Sequence, residues 1–167
     1  MMKTLLVTGG AGFIGGNFVL RLLEQEDDLR IINLDALTYA GNLDTLASLQ
    51  GDDRHVFVHG DICDGDLVRQ LMADYEPTGI VNFAAESHVD RSIEGPAVFV
   101  RTNVQGTLNL LECANQFWNK GEGRHGSDFR FLHVSTDEVY GSLGSEGKFH
   151  ETTPYAPNSP YAASKAA

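Results

Sequence analysis

Three glycines at positions 9, 12 and 15 constrain this chain more than any other feature. They lie in the run Thr8-Gly9-Gly10-Ala11-Gly12-Phe13-Ile14-Gly15. Before them, Lys3–Thr8 is a short apolar segment rich in β-formers, which predicts a buried strand. After them, Phe13, Ile14, Phe18, Leu20, Leu22 and Leu23 recur at roughly helical spacing. A strand that passes through glycines into a helix makes a tight turn. It also lets the backbone approach a pyrophosphate and lets helix and strand pack closely. The unpaired N–H groups of the helix start then face the phosphates. The spacing G-x-x-G-x-x-G departs slightly from the commoner G-x-G-x-x-G, but the physics is shared. Asp35 closes the next apolar strand, 20 residues after Gly15, where a carboxylate can bind ribose hydroxyls. It would repel a 2′-phosphate, which favours NAD over NADP.

The rest of the chain repeats the alternation. Strands are expected at Ile31–Leu34, Val56–Val58, Ile80–Phe83 and Phe129–Val134. Leu67, Leu71, Met72 and Tyr75 form a helical stripe behind Asp64 or Asp66 as N-cap, and Pro77 ends it. Gly95-Pro96 opens a long helix that runs to Trp118, with proline in the first turn. Strand and helix in turn predict an α/β fold, a doubly wound parallel sheet with helices on both faces. Lys120–Ser127 reads as a polar surface loop. Gly141–Pro160 is longer than an ordinary connection, and long loops are usually functional or mobile.

Composition narrows the partners. The chain has 167 residues and a net charge of −11, which argues against nucleic acid and anionic membrane surfaces. At 42% hydrophobic with five prolines, it can build a core. Its apolar runs are too short to span a bilayer, and Met1-Met2-Lys3-Thr4 does not start a signal peptide. Two cysteines, Cys63 and Cys113, give neither a disulfide framework nor a zinc site. The histidines show no ligand spacing, so no metal is expected. A cytoplasmic domain follows.

Reactive groups cluster late in the chain. Tyr161 and Lys165 stand four apart and face one side of a helix. A nearby ammonium, together with a nicotinamide charge, would lower the tyrosine pKa and make Tyr161 a base toward a sugar hydroxyl. Ser135-Thr136-Asp137-Glu138 ends the fifth strand, where ligands of open α/β sheets bind. Thr136 can bond a substrate hydroxyl. Asp137 and Glu138, close to one substrate, can divide the labour of acid and base. Adjacent strand residues point to opposite faces, so the chain must bend at 136–138 for both acids to reach one sugar. Asp61 either accepts from an adenine amine or caps the following helix. Ala84 and Ala85 either let the chain pass under a cofactor or simply pack. In the polar stretch 86–92, Ser87 can touch substrate, His88 reads as a loop histidine, and Arg91 pairs with Asp90 or Glu94.

These motifs resemble the extended short-chain dehydrogenase/reductase family, and within it the dTDP-glucose 4,6-dehydratases. The matching stretches are TGGAGFIG at 8–15, LDALTYAGNL at 34–43, GDICD at 60–64, AAESHVDRSI at 84–93, TNVQGT at 102–107, STDEVYG at 135–141 and YAPNSPYAASKA at 155–166. The resemblance implies a Rossmann-type domain that binds NAD and dehydrates dTDP-glucose to a 4-keto-6-deoxy sugar. It implies Tyr161, Lys165 and Thr136 at the oxidation step, Glu138 as base at C5 and Asp137 as acid on the 6-hydroxyl. Ser87 lies near the substrate. Phe13, Ile14, Asp35, Asp61, Ile62, Ala84, Thr102, Tyr161 and Lys165 match cofactor contacts, and Asn103 matches a position where the family carries asparagine. Family members are about twice as long. Residues 1–167 are therefore expected to be an incomplete NAD-binding domain without the nucleotide-sugar domain, inactive alone, and a homodimer when full length. A nucleotide-sugar 4-epimerase, another nucleotide-sugar dehydratase and an NAD-binding module without turnover are the alternatives. The epimerase needs no acid–base pair like Asp137-Glu138.

Overall fold

The computed structural model describes residues 2–119 and 129–167. The expected loop at 120–127 lies outside them. Five strands, β1 (Lys3–Thr8), β2 (Leu29–Asp35), β3 (His55–His59), β4 (Gly79–Asn82) and β5 (Arg130–His133), form one sheet in the order β3-β2-β1-β4-β5. Every neighbouring pair is parallel, as the alternation of strand and helix required. The strands fall where expected, within two residues at each end.

Period-two alternation divides the core. On one face, Leu6, Ile32, Leu34 and Ile80 pack with α2 (Gly65–Tyr75) and α5 (Thr107–Asn119) through Val68, Leu71, Met72, Leu110 and Phe117. On the other, Val7, Ile31 and Val81 pack with Val19 and Leu23 of α1 (Phe13–Gln25). Leu46, from a 3-10 turn at Leu43–Leu49, joins them. Asp64 is the residue that caps α2, accepting from the amides of Asp66 and Leu67. The helix stops at Glu76 in the left-handed region (φ 43°), just before Pro77.

Three local features differ from the sequence expectation. The segment read as a polar loop contains a short helix, α3 (Val89–Glu94). Inside it the Ser92 hydroxyl donates to the Val89 carbonyl at 2.6 Å, which satisfies a buried polar group locally. The 3-10 turn at Leu43–Leu49 is also new, started by Asn42 accepting from the Asp44 amide. The expected long helix exists without being regular. It runs as α4 (Pro96–Phe99), a π-wound segment (Val100–Gly106) and α5. Such wide turns tend to mark functional positions. This one carries Thr102 and Asn103. The last helix, α6 (Pro160–Ala166), starts at Ser159, whose hydroxyl accepts from the Ala162 amide at 3.0 Å.

Leu110 is fully buried between α5 and the sheet. Leu110→Ala is expected to cost about 2–5 kcal/mol, read as a lower midpoint of urea unfolding.

Candidate active site

The chain leaves β1 toward β2 and leaves β4 toward β5, on opposite sides. Between them, beyond the carboxyl ends of the strands, such a sheet opens a crevice. A cleft of about 350 Å³ lies there.

The glycine turn forms its floor. Gly9 has φ +71°, and a Cβ on it would stand 2.5 Å from the Ala84 nitrogen. A Cβ on Gly15 would collide with the Gly9 carbonyl oxygen. These two positions therefore exclude any side chain. Gly12 is the N-cap of α1 and supplies no capping group. Phe13 and Ile14 turn their side chains outward, 84% and 62% exposed, while both line the cleft. The cradle fits a phosphate pair: a narrow backbone concavity with helix-start amides and no side chain in the way.

Asp35 sits at the end of β2 and is buried. Its two oxygens accept from the amides of Ala11 and Leu37, each at 2.8 Å. A carboxylate has further lone pairs, so Asp35 braces the glycine turn and can still receive ribose hydroxyls. Among the residues lining the cleft, Lys165 is the single cation, and it stands at the far end from Asp35. Among the described residues lining the cleft, no other cation is present to meet a 2′-phosphate.

Asp61 caps no helix; Asp64 does that. Asp61 instead accepts from the Cys63 amide at 2.9 Å and from Arg101 at 3.0 Å. Ile62 is buried in the core and lines the cleft beside Asp61, with Ala84, Ala85 and Thr102 opposite. Ser87 is exposed at the mouth, its Oγ 3.4 Å from the Tyr39 hydroxyl. Arg91 does not pair with Asp90 or Glu94 as expected. Its guanidinium lies 4.5 Å from the centre of the Tyr39 ring. The ring face attracts a cation and joins the loop after β2 to α3.

Asn103 bolts the back of the site. Its Oδ1 accepts from the Glu86 amide at 2.8 Å, and its Nδ2 donates to the Glu86 carbonyl at 2.9 Å and the Ser164 hydroxyl at 2.8 Å. Ser164 in turn donates to the Tyr161 carbonyl. One buried side chain thus ties the loop after β4 to α6. Phe99 supports the same helix, edge-on to Tyr161 with ring centres 6.4 Å apart.

Thr136, Asp137 and Glu138 stand at the rim and do not line the cleft itself. The bend they require is present. Thr136 is extended (φ −144°, ψ 151°) and starts a 3-10 turn at Asp137–Tyr140, its hydroxyl accepting from the Glu138 amide at 3.3 Å. The turn breaks strand alternation and carries both acids into solvent next to Tyr161. Tyr161 departs from expectation. Its pKa is raised, first by burial, while hydrogen bonding with Thr136 pulls it down and the charges of Glu138, Tyr39 and Asp137 push it up. Lys165 does not offset this because its Nζ is engaged elsewhere. It donates to the Val134 carbonyl at 2.6 Å and lies 3.3 Å from Nε2 of His133. Burial lowers Lys165 to about 8. Burial also raises the Glu86 carboxyl, with Arg91 opposing.

Two residues that the motifs did not single out complete the site. Asn82, fully buried at the end of β4, bonds Thr8, Thr107 and His133. His133 ends β5 and reaches Lys165. Their only sequence signal is position, each as a polar residue closing an apolar strand. Among the described residues, no group of three or more His, Cys, Asp and Glu side chains could hold a metal ion.

The family model described as GDP-mannose 4,6 dehydratase matches residues 6–167. The chain belongs to that family. Within it, the chain is 64% identical over 166 residues to a dTDP-glucose 4,6-dehydratase of Xanthomonas campestris pv. campestris (strain B100), covering 99% of this chain and 47% of that protein. The crystal structure of DesIV, a dTDP-glucose 4,6-dehydratase of Streptomyces venezuelae with NAD and TYD bound, superimposes with a TM-score of 0.86. The two are 52% identical, over 98% of this chain and 48% of that one. The dTDP-glucose 4,6-dehydratase of Bacillus anthracis, in complex with NAD, gives a TM-score of 0.84 at 46% identity, over 98% and 47%. The chain thus spans about half the length of the relatives it matches.

The unfolded chain keeps a proton on Lys165 up to its ordinary value of 10.5, whereas the folded chain releases it above about 8. Stability should therefore rise with pH across that window, where the unfolded state binds more protons. Lys165→Met is expected to remove that rise, measured as unfolding free energy against pH.

Proposed function

We propose that these residues form the NAD-binding, acid–base part of a dTDP-glucose 4,6-dehydratase, a lyase that makes the 4-keto-6-deoxy sugar. The observation that carries this reading is the turn that brings Thr136, Asp137 and Glu138 beside Tyr161 at the mouth of a dinucleotide cleft. The cleft also favours NAD through its all-backbone phosphate cradle and Asp35. Bound there, NAD accepts hydride from C4 of the sugar and gives it back at C6, so no reduced cofactor accumulates. Gly9, Gly12, Gly15, Phe13 and Ile14 hold the pyrophosphate. Asp35 takes the adenosine ribose, and Asp61 and Ile62 flank the adenine. Ala84, Ala85 and Thr102 form the wall. Lys165 holds the second ribose.

Tyr161 takes the proton of the 4-hydroxyl, which Thr136 orients. A phenol raised by burial is a weak base alone, and a cationic nicotinamide beside it, with Lys165, favours the phenolate. A C4 ketone acidifies the C5 proton, which Glu138 removes. Asp137 protonates the departing 6-hydroxyl, and water leaves. Ser87, at the mouth, contacts the sugar. An epimerase would also use Tyr161 and Lys165, but would leave the Asp137-Glu138 turn without a task.

The contacts to the thymidine are proposed to lie outside residues 1–167, so that these residues alone bind NAD without turnover. A second copy of the chain is proposed to pack on the Pro96–Asn119 helix, where Val100, Leu108 and Leu111 expose apolar side chains along one stripe. The unpaired Cys63 and Cys113 fit the reducing cytoplasm proposed as its compartment.

With dTDP-glucose and NAD, the full-length protein is expected to give the 4-keto-6-deoxy sugar, identified by NMR; a 4-epimer would refute the assignment. Glu138→Gln is expected to permit C4 oxidation and slow water loss by about 10²–10⁴-fold, with reduced nicotinamide building up in the absorbance spectrum. Unchanged elimination in that variant would remove Glu138 as the base.

A further inference from the structure

The turn that carries Asp137 and Glu138 is joined to the helix that carries Tyr161 by the long segment Gly141–Ser159. The two ends of that segment meet. The Ala156 amide donates to the Val139 carbonyl at 3.0 Å. Gly141 leaves the turn with φ +91°, and a Cβ on it would collide with the Ala156 carbonyl oxygen. The Tyr140 ring lies against Phe149 and Tyr155, with ring centres 5.3 Å and 5.4 Å away. The chain thus leaves the turn, travels out and comes back against it before α6 begins.

Asn158 locks this return. Its neighbours fix which way its amide lies. The Ala156 carbonyl can only accept, and the Ser142 amide can only donate. One orientation serves both. In it Nδ2 donates to the Ala156 carbonyl at 3.2 Å, while Oδ1 accepts from the Ser142 amide at 3.3 Å and the Ser142 hydroxyl at 2.7 Å. One side chain therefore fastens the outgoing arm to the returning arm, one residue before the Ser159 cap of α6. The near end of the acid turn is held separately, by the Ser135 hydroxyl donating to the Lys165 carbonyl at 3.4 Å. The helix itself is held by Ser159, Phe99 and Asn103. The fastening at Asn158 thus bears on the far end of the turn, where Glu138 stands, and not on Tyr161.

We propose that Asn158 is a positioning residue: by fastening Ser142 to Ala156 it fixes the Asp137-Glu138 turn against Tyr161, so that elimination of water depends on it and oxidation at C4 does not. The chemistry rests on the dehydratase reading, in which Tyr161 and Thr136 serve the oxidation and the two acids serve the elimination. A displacement of about 1 Å can cost ~10²-fold in a catalysed step. Asn158 is exposed, so replacing it removes the fastening and leaves the core intact.

Two measurements on the full-length protein test this. Hydrogen–deuterium exchange uses no substrate. In Asn158→Ala the Ala156 and Gly141 amides are expected to exchange roughly tenfold faster, and the Ala163 amide of α6 at its unsubstituted rate. Rapid mixing of the NAD-loaded protein with dTDP-glucose follows the nicotinamide absorbance. Asn158→Ala is expected to oxidise C4 at the unsubstituted rate and to lose water roughly tenfold more slowly, so that reduced nicotinamide builds up. Ser142→Ala, which removes one of the three bonds, is expected to have a smaller effect and to add little to Asn158→Ala, because the two share a contact. Equal slowing of both steps would mark a merely structural residue and overturn the proposal. So would unchanged exchange at Ala156, or unchanged elimination beside faster exchange. Each of these results leaves the dehydratase assignment intact. Failure of the unsubstituted protein to dehydrate dTDP-glucose would remove that assignment and with it the role in elimination, while the exchange rates still decide whether Asn158 holds the turn.

Discussion

The backbone of Gly9 passes the backbone of Ala84 at a distance that admits no side chain. This contact sets the rest of the site. It presses the turn after β1 against the loop after β4, across the line where the sheet's connections diverge. Thr8 and Asn82 bond just beneath it, and the Ala84 amide reaches back to Thr8. Asp35 then pins the far side of the glycine turn through the Ala11 amide. Two residues beyond Ala84, the chain meets the Asn103 bolt at Glu86, and through it α6. A methyl group at position 9 would separate the two loops and move every group that depends on them.

The charge pattern follows from the same economy. The chain carries −11 overall, and its cleft is lined by Asp35, Asp61 and Glu86 against one lysine. A site of this sign can still favour a dianionic pyrophosphate if the positive ends of backbone dipoles, not side-chain cations, do the binding. That arrangement leaves Lys165 as the single cation among the described residues that line the cleft. It also explains the direction of the Tyr161 shift: with Nζ turned to Val134 and His133, burial and the neighbouring carboxylates prevail.

The parallel sheet was legible because its signals are local. Apolar runs, their helical and strand periods and the glycine turn all act within a few residues. So were Asp35 and the Tyr161–Lys165 spacing, which are fixed offsets on regular elements. What the sequence hid is long-range pairing between polar side chains. Asn103 and Ser164 stand 61 residues apart, and Thr8 and Asn82 stand 74 apart; no period relates them. Arg91 departs from its expected pairing for the same reason. Near neighbours Asp90 and Glu94 offered an obvious partner, while the ring of Tyr39 was visible only after folding. His133 was one of several scattered histidines until β5 was laid beside β4.

The helix that carries Tyr161 and Lys165 is fixed by contacts from other parts of the chain. Ser159 caps one end, Phe99 braces the Tyr161 ring, and Asn103 holds Ser164 between Tyr161 and Lys165. Asn103 and Phe99 both belong to the helix that opens into a π turn at Val100–Gly106. One wide turn is a poorer hydrogen-bonded structure than the α-helix around it. Here it directs Thr102 to the cleft and Asn103 to the interior from adjacent positions, so the loss in one helix positions Tyr161 and Lys165 on another.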